Sequence, residues 1–106
     1  AWYAPLTAAL RRRGLPALRE HYERIFALEG GELVCTESAT DLVLDVRLNP
    51  AVTHMKAHGY AISPLFHETV ATVGRALCEN TPFDAELLRY DAETGRYVQR
   101  FFRRAS

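Results

Sequence analysis

The stretch from Leu42 to Leu48 constrains this chain more than any other. Leu42, Leu44, Val46 and Leu48 alternate with Val43, Asp45 and Arg47, a period of two that sends the two sets to opposite sides of a strand. Four aliphatic side chains on one face cannot be left in water. That face must be covered, and the nearby helical stretches supply the cover.

Those stretches are readable on both sides of the strand. Pro5 suits a first helical position, and Leu6, Ala9 and Leu10 share a face ahead of Arg11, Arg12 and Arg13, cations that suit a last turn. Gly14 closes that helix. Leu18, Tyr22, Ile25 and Phe26 then recur with a helical period until Gly30-Gly31. From Glu32 the period becomes two, with Leu33 and Cys35 alternating with Val34 and Thr36; a polar break at residues 38–40 makes a hairpin with the 42–48 strand. Asn49-Pro50 is a cap followed by a helix-starting proline, so a short helix is expected from about Ala51 to His58, closed by Gly59. Ser63-Pro64 repeats the signal, and Phe66, Val70, Val73 and Leu77 mark one face of a longer helix that ends at Asn80-Thr81-Pro82.

The remainder is two-periodic again. Phe83, Ala85 and Leu87 alternate with Asp84, Glu86 and Leu88, and Tyr97, Gln99 and Phe101 with Val98, Arg100 and Phe102. Residues 91–95 form the turn between them, with Gly95 at a positive-φ position. The expectation is α+β: an antiparallel sheet of about four strands, built from two hairpins and covered by helices, in the order ααββααββ. At 106 residues it is a single domain. The opening Ala1-Trp2-Tyr3, with no initiator methionine, reads as a domain excised from a longer chain, whose flanking domains would be natural partners.

Charge narrows the function classes. Thirteen basic and thirteen acidic side chains balance to a formal charge of zero, so no overall field favours a polyanion and no nucleic-acid partner is expected. No apolar run reaches the ~20 residues that span a bilayer, and no signal-peptide core opens the chain; the expected location is cytoplasmic, without a membrane partner. Cys35 and Cys78 are too few for a disulfide framework and are expected as reduced, partly buried thiols. As nucleophiles they would need an adjacent base and an electropositive setting, and neither stands in a local motif. The arginines near the carboxy terminus, Arg100, Arg103 and Arg104, interleave with Tyr97, Phe101 and Phe102 as in single-strand nucleic-acid binders, but edge-strand protection explains them as well.

His54 and His58 are the sharpest local feature. Four residues apart, they share a helical face at the spacing of a two-imidazole metal site. Met55 stands where a zinc-protease motif needs glutamate, and a third ligand would have to come from His67, Glu68, Cys78 or His21. No metal or other cofactor is therefore expected. Tyr60, in the loop after Gly59, and His67 can approach the same place. The expected ligand-binding residues are His54, His58, Tyr60 and His67, around a small molecule that sits on an apolar floor.

Three segments taken together resemble a family. Leu44-Asp45-Val46-Arg47-Leu48-Asn49-Pro50, then His54, His58, Gly59 and Tyr60, and finally residues 95–101 beginning Gly95-Arg96-Tyr97 follow the layout of proteins similar to L-2-amino-thiazoline-4-carboxylic acid hydrolase. The resemblance covers residues from about 41 to 104. It implies helices, a strand running into a Cys-Pro helix start, and a last strand after a glycine turn. Asn49 occupies the place of the cysteine before Pro50, and the last strand carries no cysteine. The resemblance with these departures implies a non-catalytic small-ligand-binding or regulatory, sensor-like domain. The alternatives are a small hydrolase or thiol enzyme, using Cys35 or Cys78 with one of the histidines, and a dimerisation module forming a homodimer.

Overall fold

A computed structural model describes residues 4–59 and 66–105. They form α1 (Ala4–Arg13), α2 (Leu15–Glu29), β1 (Glu32–Glu37), β2 (Asp41–Leu48), α3 (Pro50–Ala57), α4 (Phe66–Leu77), β3 (Phe83–Tyr90) and β4 (Tyr97–Arg103). The fold is α+β in the order ααββααββ, as the periodicities predict. The four strands make one antiparallel sheet in the order β1-β2-β4-β3. Each half of the chain contributes one hairpin, and the second strands of the two hairpins meet at the centre. Trp2, Tyr3, Tyr60 and the Ser63-Pro64 signal lie outside the described residues.

Local chemistry ends the helices where expected. Gly14 and Gly30 both adopt φ of 78°, a conformation that costs glycine little and other residues more. The Gly14 amide donates to the Leu10 carbonyl and the Gly31 amide to that of Phe26, both at 2.8 Å. Among the described residues one non-glycine has positive φ, Asn80 at 61°, in the turn that leads from α4 to β3.

One face of the sheet carries the core. Leu42, Leu44, Phe83, Ala85 and Phe101 are buried with Leu10, Leu15, Leu18 and Leu77, while Val46 and Tyr97 pack with Phe26, Tyr22 and Val70. The helices divide the cover of this face between the strands. α2 lies over β1 and β2, and α4 mainly over β3, because β4 stands between β2 and β3. Leu42 and Leu44 share one core cluster with Leu10 of α1, Leu15 and Leu18 of α2 and Leu77 of α4, and α2 is the helix that covers β2. Phe101 is buried and Phe102 half-buried, as their opposite parity requires.

Two register slips depart from the simple alternation. On β1–β2, Leu33 faces Val46 and Glu32 faces Leu48, so Arg47 is the extra residue of a bulge. Leu48 thereby leaves the inward phase and is 38 % exposed, not buried as expected. On β3–β4, Leu87 faces Gln99 and Arg89 faces Val98; Leu88 is extra and 53 % exposed. Such insertions bend a strand and re-aim the side chains beyond them.

The other face of the sheet is not roofed by any described element. It is held instead by a cross-strand ladder. Arg100 of β4 donates to Asp41 of β2 at 2.7 Å and to Glu86 of β3 at 2.8 Å, and its guanidinium lies 4.3 Å from the Phe102 ring centroid. Arg104 donates to the Thr81 carbonyl at 2.9 Å, and on the helix-covered face Arg103, opposite Phe83 in the register, lies over that ring. The aromatic and basic residues of the carboxy-terminal strand are committed to contacts within the fold.

Candidate functional site

α3 is short; Asn49 caps it, and three attachments set its place. The Asn49 side-chain oxygen accepts from the Ala51 amide at 3.1 Å, capping the helix, and Asn49 Nδ2 donates to the Gly95 carbonyl at 3.0 Å. Val52, buried, packs so closely on Gly95 that a Cβ there would fall 2.8 Å from the valine Cβ. Lys56 Nζ donates to the Glu93 carbonyl at 2.6 Å. α3 thus rides on the 91–95 turn between β3 and β4. That turn is itself tied by Asp91 Oδ1, which accepts from the Glu93 amide at 2.9 Å and the Thr94 amide at 3.3 Å; these two bonds hold the Asp91 carboxyl below the usual carboxylate range.

A cleft of about 540 Å³ opens between the end of α2 and the start of α3. Pro50, Ala51 and Met55 give it apolar walls, and Glu29 and His54 are its polar members. Gly31 permits the close approach of the two helices: a Cβ there would meet Pro50 at 2.6 Å and Phe26 at 2.7 Å. Sequence reasoning misses Glu29 as a site residue. It is the last residue of a solvated helix face, and its nearness to His54 is a product of packing between segments 25 residues apart.

The four expected site residues separate. His54 lines the cleft. His58 is stacked beside it, ring centroids 4.3 Å apart, but its Nδ1–H donates to the His54 carbonyl at 3.0 Å, so the imidazole closes the end of α3. His67 lies in the first turn of α4 with its ring 5.7 Å from that of Tyr90 on β3. Tyr60 falls outside the described residues. No group of three or more His, Cys, Asp or Glu able to hold a metal is found among the described residues.

The thiols sit elsewhere and in the wrong surroundings for nucleophiles. Cys78 is buried, and burial pushes its pKa up to about 12, with Asp84 adding to the effect. Cys35 is half-buried on β1 and is also raised, first by burial and then by Glu23. The charged groups that act on them are Arg19, Glu23 and Glu37 for Cys35, and Asp84 and Arg104 for Cys78. No histidine is among these.

One buried polar side chain is legible only in part from the sequence. Gln99 is 1 % exposed and donates through Nε2 to the Val70 carbonyl at 3.3 Å, under Gly74 of α4, which leaves room for it. Its inward parity follows from Tyr97 and Phe101; its partner does not. No described helix is long and apolar enough to cross a membrane. Comparison with family models, curated proteins and solved structures finds no match for this chain.

Proposed function

We propose that this chain is a non-catalytic, small-ligand-binding regulatory domain of the sensor type, and that its ligand enters the α2–α3 cleft. The observation that carries this reading is the pairing of an apolar floor, Pro50 and Met55, with two polar members, Glu29 and His54, in one concavity. Small-molecule sites are commonly built this way. A carboxylate beside the imidazole disfavours a purely anionic guest. The cleft suits a small planar molecule with an N–H for Glu29 and an acceptor for His54.

Two further points support a binding role over a thiol hydrolase. Both thiols are held protonated by burial, whereas a nucleophilic cysteine needs the thiolate. Asn49, which stands where the resembling hydrolases have cysteine, commits its side chain to the α3 cap and to Gly95.

The test is an NMR titration of the isotopically labelled chain with indole, imidazole and benzoate. Saturable shifts are expected at the amides of Ala51, His54 and Met55, strongest for the two N–H donors. His54→Ala should weaken binding severalfold while moving stability by no more than about 0.5 kcal/mol, the usual range for exposed positions. Identical titrations for parent and variant would end the assignment to this cleft.

A further inference from the structure

We infer a second binding site, on the unroofed face of the sheet, for the phosphate group of a small phosphate monoester, formed by Arg47, Arg89 and Arg96. It lies on the opposite side of the sheet from the helices and does not rest on the reading of the α2–α3 cleft. The three arginines line one concavity of about 360 Å³ together with Asp45, Asp91 and Val98.

The register explains how they meet. Asp45 faces Val98 and Val46 faces Tyr97 across β2 and β4. Arg47 follows Val46 and Arg96 precedes Tyr97, so the two cations come to facing positions at the end of the ladder. Arg89 faces Val98 from the other side. Both register slips of the sheet fall at this end, one at Arg47 and one just before Arg89. Bulges commonly re-aim side chains beside functional sites.

Charge accounting separates this end from the rest of the face. Further along it, Arg100 has Asp41 and Glu86, and Arg104 has Asp84 at 3.8 Å. Here Arg47 shares Asp45 at 3.4 Å, and Asp91 already accepts two turn amides, although it still feels Arg96. The guanidinium groups of Arg89 and Arg96 close no hydrogen bond or ion pair among the described residues. Like charges that face one another across strands destabilise a sheet. Such a local conflict is expected at functional positions. A tetrahedral dianion resolves it, since guanidinium forks match phosphate oxygens. Val98 beneath them offers an apolar contact to the ester group, and the open shape predicts modest affinity.

The experiment titrates the full chain with phenyl phosphate, inorganic phosphate and acetate at low ionic strength, followed by amide shifts. Phenyl phosphate should bind at Arg47, Arg89, Arg96 and Val98, more tightly than inorganic phosphate and far more tightly than acetate. Arg89→Gln with Arg96→Gln should weaken it about tenfold or more, as expected for losing charged hydrogen bonds. Arg11→Gln with Arg12→Gln, an equal charge loss on exposed positions of α1, should leave it almost unchanged. Without ligand, the first pair should raise the unfolding temperature, because it relieves repulsion. Equal loss of affinity in both pairs, shifts centred elsewhere, or a lowered unfolding temperature for the Arg89/Arg96 pair would overturn the site. Inorganic phosphate binding as tightly as phenyl phosphate would overturn the ester assignment.

Discussion

At the scale of single residues, the cysteines show how burial decides chemistry. Cys78 lies wholly inside the core, and its pKa rises from the usual 9.0 to about 12. The unfolded thiol loses its proton near the lower value and the folded one near the higher. The stabilising difference is therefore fully present below about pH 9 and is lost as pH climbs from there toward 12. Tyr97, raised to about 12 by burial, acts in the same direction. The urea midpoint should thus fall steadily across this alkaline window, by an amount worth on the order of a few kcal/mol. Cys78→Ala should show a shallower fall, though from a lower start. A thiol reagent near neutral pH should label neither cysteine quickly in the folded state; rapid labelling of one site would revive the thiol-enzyme reading.

Among the elements, α3 is the one whose existence and position have different causes. Asn49-Pro50 starts it, by local chemistry visible in the sequence. Its seat on the 91–95 turn comes from Asn49 Nδ2, Val52 and Lys56, all reaching a segment some 40 residues away. Gly95 serves both roles, with φ of 75° and no room for a Cβ beside Val52. Gly95→Ala should then cost about 1–2 kcal/mol from the backbone alone, the usual penalty for an L-residue in that conformation, and more from the collision. Asn49→Ala should cost about 1–2 kcal/mol through the lost cap and bridge. In both variants hydrogen exchange should speed up in α3 before it does in β2 or β4. Unchanged protection of α3 would mean that these attachments do not hold it.

Over the whole molecule, stability rests on one helix-covered face of one sheet. Leu44 has no exposed surface and packs among residues of several elements. Leu44→Ala should cost about 2–5 kcal/mol, the range for emptying a filled aliphatic site, measured by urea denaturation; a loss below about 1 kcal/mol would show that β2 is not core. Much of this is legible in the sequence. Alternation at Leu42, Leu44 and Val46, and at Tyr97, Gln99 and Phe101, assigns inward faces because a strand's parity is a local property. Helix ends at Gly14, Gly30 and Asn49 are equally local, set by φ or by a side chain two residues away. The histidine pair is legible as a face of α3, but not its division of labour, in which His58 closes the helix and His54 lines the cleft. What only the tertiary structure decided is everything that depends on two segments meeting. The strand order places β4 between β2 and β3, which leaves α2 over β2 and α4 over β3. One bulge turns Leu48 outward, and the two together bring Arg47, Arg89 and Arg96 to one end of the open face. Glu29 arrives beside His54. Propensity and periodicity act over a few neighbouring residues, whereas register and packing are chosen by the burial that the whole chain achieves at once.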